Sequence, residues 1–256
     1  MRNRAAQALN EHGFPTTRFE NWKYTDTKRL LEHDYVLPGS QCIGLVNEDI
    51  EHLVIDDDAS IVVFVNGRFT AQLSRIAFDV DGVEINSMAA VLNNNPEKIR
   101  PYLSKYVDVA ENGFVALNTA SLVDGLYLHI DEGVRIDAPL HVLYLTTASD
   151  DMLVLPRNLL LLDSNAKATV IEHFASLGNA DIMIDAVSEI RLSHGAELEH
   201  FKLQQEGRRT SYIASDTVEQ AGSTGYRSWI VSTGAELARQ DLRVLLTGPD
   251  ARCDLN

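Results

Sequence analysis

The chain has 256 residues, of which 45% are hydrophobic, and a formal net charge of −15 at pH 7. This length and apolar content are enough for a sizeable core in one or two domains. An acidic surface repels phosphate backbones, so the composition argues against a nucleic-acid-binding protein.

The two cysteines, Cys42 and Cys253, lie far apart and form no CxxC motif. This argues against a disulfide scaffold and indicates a reducing compartment. The N-terminal residues lack the apolar stretch of a secretory signal. No run reaches the roughly 18 apolar residues that a membrane span needs. We therefore expect a cytoplasmic protein with no membrane segment.

Residues 2–12 predict a helix because Ala, Gln, Leu and Arg are strong helix formers, and Gly13 is expected to end it. Thr25 or Asp26 is expected to cap a short helix that runs to Leu31.

Between residues 53 and 80 we expect strands, with Asn66-Gly67 as a hairpin turn. The predicted strands are Leu53–Ile55, Ile61–Val65 and a return from Phe69 to Leu73. Residues 87–106 predict two helices, the first capped by Ser87 and the second by Asn95 with Pro96 in its first turn.

Asn112-Gly113 marks the expected boundary between two regions. Helical signals stop there, and from Phe114 onward we expect strands and turns only. The predicted division is a mixed helical and strand region over 1–112 and a β region over 113–256.

Three segments of the β region resemble one repeated unit, each preceded by turn-forming residues: Ala168–Phe174, Ala196–Phe201 and Ala235–Leu242. Imperfectly recurring short strands favour a solenoid of stacked rungs, while a β-sandwich would give similar signals. The run Leu159–Leu162 is apolar on both strand faces, which favours a sheet covered on each side.

The Glu-His-Phe tripeptide recurs at 172–174 and 199–201. If the rungs stack in register, His173 and His200 are neighbours and could bind metal or pass protons. Arg239 occupies the matching place in the third unit and does not ligate metal, so we favour a solvated strand face. His129 and His141, flanked by apolar residues, are interpreted as half-buried histidines with hydrogen-bond partners.

Other chemistry has little support in the sequence. An iron–sulfur cluster usually takes four thiolates, which two distant cysteines cannot supply. Cys253 could add one ligand to a shared site, but we favour an apolar strand residue. There is no GxSxG nucleophile motif, and Asp56-Asp57-Asp58 is interpreted as a solvated loop.

The aromatic pair Trp22 and Tyr24 in the string FENWKYT allows two interpretations. Exposed aromatics would form a recognition patch, since they dominate interface energetics. Alternatively the aromatics clamp this segment onto the domain, which we favour slightly.

The stretch Gly13–Leu31 closely resembles the N-terminal signature of the SufB/SufD family, in particular of its SufD members. The residues that carry the resemblance are Gly13-Phe14-Pro15, Arg18, Glu20, Trp22, Lys23, Tyr24 and Thr25. Looser similarities follow at 64–69, 117–125, 138–145 and 239–248.

The resemblance implies a right-handed parallel β-helix core and a non-catalytic scaffold subunit of the SUF iron–sulfur cluster assembly system. It implies SufB and the ATPase SufC as partners. It also implies that this chain alone binds no cofactor and that a cluster is held transiently in the full complex. The role of Arg18 to Thr25 stays open.

Family members run well beyond residue 256, so the chain resembles a SufD-like fragment with an open last rung. Unpaired strand edges invite pairing with another chain. We therefore expect self-association through residues 235–256. The alternative function is a β-helix enzyme acting on polysaccharide, or a carbohydrate-binding solenoid.

Overall fold

The structure is a computed structural model that describes residues 1–39, 44–56, 59–77, 80–110, 112–147 and 150–256. The described helices are α1 (Arg2–His12), α2 (Lys28–Leu31), α3 (Asn47–Ile50), α4 (Met88–Asn94) and α5 (Gly113–Ala120). Single turns of 3-10 helix lie at Glu20–Trp22, Glu51–Leu53, Ala71–Leu73 and Pro96–Lys98. Within the described ranges, none of these helices has the length and hydropathy to cross a bilayer.

The first seven described strands are β1 (Ser60–Val65), β2 (Arg68–Phe69), β3 (Val83–Ser87), β4 (Leu126–Ile130), β5 (Leu140–Thr146), β6 (Met152–Val154) and β7 (Arg157–Leu162). The strands that follow are β8 (Lys167–Ser176), β9 (Ile182–Leu192), β10 (Glu197–Gln205), β11 (Thr210–Gln220), β12 (Gly225–Ser232), β13 (Leu237–Leu246) and β14 (Arg252–Leu255).

The strands form two facing sheets. Sheet 1 has the order β2-β1-β5-β8-β10-β12-β14, and sheet 2 has the order β3-β4-β7-β9-β11-β13, with β6 also paired to β9. From β7 onward consecutive strands alternate between the sheets, and neighbours within each sheet are parallel. The backbone therefore coils as a β-solenoid, which confirms the predicted architecture; the right-handed winding stays a prediction.

The main core lies between the two sheets. Residues of one parity along each strand point inward, because side chains alternate across a strand. Leu160 and Leu162 lie in this core, while Leu159 and Leu161 pack outward with Met88 of α4. The apolar run is therefore covered on both faces, as predicted.

Several predicted local features are confirmed. Helix α1 ends at Gly13, which has φ 66°. The turn between β1 and β2 places Asn66 and Gly67 at φ 50° and 73°, values that favour Asn and Gly. The Ser87 hydroxyl accepts a hydrogen bond from the Ala90 N–H at 3.1 Å and caps α4.

The strand predictions for 53–80 are only partly right. Leu53 ends a 3-10 helix, and the returning strand contains only Arg68 and Phe69 before a second 3-10 helix begins. Strand β3 was not predicted. Similarly, the expected second helix near Asn95 is a single 3-10 turn over Pro96–Lys98, without a side-chain cap.

The expectation that the chain is only strands and turns from Phe114 onward is wrong. Helix α5 occupies Gly113–Ala120, and the Asn112 side-chain oxygen accepts the Phe114 N–H at 2.9 Å as its N-cap. The apolar residues of this segment cover the outer face of sheet 2, and that burial stabilises the short helix. Whether 112/113 is a domain boundary stays a prediction.

The supposed repeats are not equivalent. The pairing of β8 with β10 sets His200 opposite Val170 and Leu203 opposite His173, so the two Glu-His-Phe strings are displaced by three residues. An odd displacement turns side chains to opposite faces. The third unit lies in β13, which belongs to the other sheet. The alternative considered for His173 and His200, a ladder of neighbouring histidines, is therefore excluded.

Candidate functional site

The Glu-x-Trp-Lys-Tyr-Thr segment lies across the outer face of sheet 2. Trp22 is buried and stacks on Phe114 of α5, with ring centroids 5.3 Å apart. The Arg239 guanidinium carbon lies over the Trp22 ring, 3.9 Å from its centroid. Arg239 also donates to Asp241 at 2.8 Å and 3.0 Å, and to the Thr25 hydroxyl at 3.4 Å.

The other motif residues point outward. Arg18 is exposed, and Glu20 pairs with Lys23 at 2.5 Å on the surface. Tyr24 is 91% exposed. The motif therefore combines an inner half, the buried Trp22 and the half-buried Thr25, with an exposed half. A cavity of about 800 Å³ opens beside Trp22, between the N-terminal segments and β13.

The most unusual feature of the chain is a charged cluster inside the solenoid. The inward residues of β7, β8, β10, β11, β12 and β13 include charged or polar side chains among apolar ones. Its members, called here the interior polar cluster, are Asn158, Glu172, His200, Lys202, Asp216, Tyr226 and Gln240.

Lys202 is the centre of this cluster. Its Nζ lies 2.7 Å and 2.8 Å from the two carboxylate oxygens of Asp216 and 3.2 Å from Glu172 Oε2. The Gln240 amide donates to Asp216 at 2.5 Å. The lysine thus bridges carboxylates from both sheets, one on β8 and one on β11. A buried charge is tolerated when it is paired in this way.

His200 extends the cluster along sheet 1. Its Nε2 lies 3.2 Å from Glu172 Oε1, and its Nδ1 lies 3.0 Å from the Tyr226 hydroxyl. Asn158 approaches the same Glu172 oxygen and accepts a hydrogen bond from the Tyr144 hydroxyl at 2.7 Å. A continuous set of polar contacts therefore runs across the solenoid interior from Tyr144 to Gln240.

Burial alone would raise the pKa of Glu172, but the Lys202 ammonium and the His200 ring outweigh it and lower the pKa to about 2. Burial would also lower the pKa of Lys202, yet Asp216 and Glu172 hold it above its ordinary value. Lys202 and Glu172 are therefore both charged at neutral pH, and the cluster holds a buried ion pair in a fixed arrangement.

Glu206, beyond the end of β10, is a second buried acid. Burial raises its pKa to about 7. Gln204 donates to one Glu206 oxygen and accepts from Ser232, while Glu206 Oε1 has no hydrogen-bond partner in the part of the chain that the structure describes. Glu206 therefore changes charge near neutral pH, which a carboxyl group does when no cation is close.

The histidine predictions need correction. Neither His173 nor His200 lies on a solvated face, since both are buried under 3% exposure. His200 faces the interior polar cluster, and His173 lies on the outer face of sheet 1 beside His141. His129 is half-buried with Asp163 3.0 Å from its Nε2, as expected, whereas the ring nitrogens of the buried His141 have no hydrogen-bond partner among the described residues.

Two groups on the surface bring a histidine and two aspartates close enough to share a cation: His33, Asp151 and Asp181, and His129, Asp131 and Asp163. Cys253 packs its half-buried side chain against the core, and burial raises the pKa of its thiol. A raised pKa disfavours the thiolate that metals bind. Cys42 and Asp57-Asp58 lie outside the described residues.

The interior polar cluster was not found by sequence reasoning, although two signals were present. In β8 the inward row Ala168, Val170, Phe174 is interrupted by Glu172, and in β11 the row Tyr212, Ala214, Val218 is interrupted by Asp216. A single carboxylate in an apolar row predicts a buried, paired charge. Its partner could not be predicted, because Lys202 comes from another strand.

These features define a β-solenoid with a buried charged cluster and an N-terminal segment that packs on the outer face of sheet 2. Residues 1–142 match the family model described as "SufBD protein N-terminal region". Residues 144–256 match the one described as "SUF system FeS cluster assembly, SufBD core domain". The chain belongs to the SufB/SufD family.

Three curated relatives illustrate the match. A SufBD family iron–sulfur cluster assembly protein of Synechocystis is 27% identical over 95% of this chain and 55% of its own length. SufD of Escherichia coli is 25% identical over 98% of this chain and 56% of its own length. SufB of Bacillus subtilis is 24% identical over 68% of this chain and 37% of its own length. The chain spans about half the length of the first two.

Proposed function

We propose that this chain is a SufD-like, non-catalytic scaffold component of the SUF iron–sulfur cluster assembly system, working in the cytoplasm with SufB and SufC. The observation that carries the proposal is the match of two SufBD family models to adjoining stretches of the chain. The motif around Trp22 and a relative named SufD support the SufD-like assignment.

A scaffold role agrees with the chemistry of the described residues. The strongest charges are locked to one another inside the solenoid, so Lys202 and Glu172 do not face an open cleft. The Cys253 thiol is poorly suited to ligate iron. We infer that the chain alone holds no cluster and that any cluster forms with ligands from partners.

The test is anaerobic co-purification with SufB and SufC from the same source, followed by reconstitution with ferrous iron and a sulfide donor. We expect stable co-purification, no cluster absorption in the chain alone and iron and acid-labile sulfide in the complex. A chain that assembles a cluster or hydrolyses ATP alone would contradict the scaffold assignment. Pairing with an authentic SufD but not with SufB would reassign the chain as SufB-like.

We further infer that the motif has a structural role in its inner half. Trp22 and Arg239 join residues separated widely in sequence, and cation–π contacts with a desolvated ring are the stronger ones. The exposed Tyr24 and Arg18 are left for contacts with partners. In co-purification, Tyr24→Ala should weaken partner retention while leaving the fold unchanged; unchanged retention would remove Tyr24 from the interface.

β13 and β14 are terminal strands of their sheets in this structure. We propose that these edges pair with another chain, either a SUF partner or a second copy, through residues 235–256. Light scattering at tens of micromolar should show a species larger than one chain. A monodisperse monomer would refute self-association without affecting the SUF assignment.

A further inference from the structure

Two rows of mostly apolar side chains cross the outer face of sheet 1. Strand pairing sets the members of each row side by side on β1, β5, β8, β10 and β12. The first row is Ile61, His141, Ile171, Phe201 and Trp229, and the second row is Val63, Leu143, His173, Leu203 and Val231. Residues paired in this way point to the same side of a sheet, so the rows form one continuous surface.

The chain itself covers the first part of this surface. Ile50 of α3, with Leu53 and Val54 just after it, packs against a buried cluster that includes Val63 and Leu143 of the second row. Under this cover the row residues of β1 and β5 are at most 5% exposed. The three covering residues are spaced i, i+3 and i+4, which is the spacing of an apolar stripe on a helix.

The same rows continue beyond this cover, where their residues are accessible. Ile171, Phe201, Leu203 and Trp229 are only half-buried, and Val231 is 50% exposed. The Phe201 and Trp229 rings stack with centroids 4.4 Å apart and planes 3° apart, so they form a single aromatic ridge. These five residues are called here the sheet 1 patch. A contiguous apolar patch of this kind marks an interaction site.

The charges beside the aromatic ridge are paired with one another. The Arg227 guanidinium carbon lies 5.8 Å from the Trp229 ring centroid, and the guanidinium is 2.7 Å from Glu199 and 3.7 Å from Asp254. Docking on the patch is therefore expected to depend on apolar contact. The whole chain carries a formal charge of −15, which disfavours a second copy packed face to face on the same surface.

We propose that the sheet 1 patch is the docking site for an amphipathic helix of a protein partner. An apolar sheet face is buried against a helix or against another sheet. Helical turns of this chain already cover the preceding strands on the same two rows, so a second helix beside them extends an existing mode of packing. Its apolar stripe would lie on the Phe201–Trp229 ridge. The inference does not depend on the proposed SUF function.

The experiment is fluorescence anisotropy with a labelled helical peptide and the full chain. The probe has about 18 residues of Leu, Ala, Lys and Glu, no net charge and its leucines on one face. We expect binding that is at least about tenfold weaker in Val231→Lys. Leu31→Lys is the matched control, because Leu31 is 43% exposed on α2, which packs on sheet 2, and it should keep the wild-type affinity.

A scrambled peptide of the same composition, with its leucines on all faces, should bind at least about tenfold more weakly than the probe. Equal binding of the two peptides, no binding of the probe, or equal affinity in Val231→Lys and Leu31→Lys would overturn the proposal.

Trp229 gives a second measurement on the unmutated chain. The bound probe should shift its fluorescence emission to shorter wavelength, whereas Trp22 is only 6% exposed before binding and should change little. Unchanged emission at saturating probe would contradict the proposal. A dimer in light scattering that Val231→Lys disperses would assign the patch to a second copy. Binding to phosphatidylcholine vesicles that Val231→Lys abolishes would assign it to lipid. Either result would overturn the helix as its occupant.

Discussion

The first rungs of the solenoid and the rungs that follow them have different interiors. Between β1, β5 and β7 the core is apolar, with Phe64 and Tyr144 stacked at 5.1 Å beside Leu160. Between β8, β10 and β11 the same inward positions hold Glu172, Lys202 and their partners. One backbone architecture thus encloses both an apolar core and a charged one, with Asn158 at the junction.

The comparison shows two ways to stabilise stacked rungs. Apolar rungs gain stability in proportion to buried area, and each residue contributes separately. Charged rungs depend on complete pairing, because a single unpaired buried charge is strongly destabilising. The two regions should therefore respond differently to substitution and to pH.

The largest effect is expected in the charged rungs. Lys202→Met leaves two buried carboxylates without their cation, and we expect the free energy of unfolding to fall by about 3–5 kcal/mol. Urea denaturation measures this loss. The control is Lys167→Met, whose surface pair with Glu197 at 3.1 Å should contribute at most about 1 kcal/mol. Equal effects of the two substitutions would refute the central role of Lys202.

In the apolar rungs, Leu160→Ala should lower the free energy of unfolding by about 3 kcal/mol, through lost burial and a residual cavity. Because no charge is involved, this loss should be the same at pH 6 and pH 8. The loss in Lys202→Met should instead shrink as the carboxylates are protonated at low pH. If the loss of unfolding free energy in Leu160→Ala also depended on pH, the two regions would not differ in the way proposed here.

The pH response should be visible at Glu206. Its folded pKa of about 7 lies above the ordinary value of 4.5. The folded state therefore holds the proton more tightly, so stability is full below about pH 4.5 and falls as pH rises through 7. Above pH 7, the free energy of unfolding of Glu206→Gln should be higher than that of the wild type by at most about 3 kcal/mol.

Thermal unfolding from pH 5 to pH 9 tests this prediction, with Glu132→Gln in an exposed turn as the control. The Glu132 variant should follow the wild-type curve throughout. If Glu206→Gln also follows the wild-type curve, Glu206 is charged at neutral pH, and burial does not raise its pKa.

The smallest effect on stability is expected in the N-terminal segment that carries Trp22 and packs on sheet 2, called here the strap. Arg239→Met removes the guanidinium over the indole ring and should reduce stability by about 1 kcal/mol. Tryptic cleavage at Lys23 and Lys28 should become faster as the strap loosens. Tyr24→Ala is the matched control, since a side chain that is 91% exposed contributes little packing. Equal cleavage rates in both variants would show that the Arg239–Trp22 contact does not hold this segment on the sheet.

Much of the fold could be predicted from local patterns. Gly13, Asn66-Gly67 and Ser87 carry conformational preferences of their own, and the apolar run Leu159–Leu162 indicated cover on both faces. Helix α5 was missed because its helical propensity is modest and its stability comes from packing on sheet 2. The partners of Glu172 were missed because they lie on other strands.

Sequence alone indicated strands separated by turns through most of the second half of the chain, and it carried the motif that marks the family. Tertiary structure decided which side chains meet, because the loops between rungs differ in length. Paired residues lie 30 positions apart from β8 to β10, as for Lys167 and Glu197, but 28 apart from β10 to β12, as for Glu197 and Gly225. Since side chains alternate along a strand, only the three-dimensional register could send His200 inward and His173 outward.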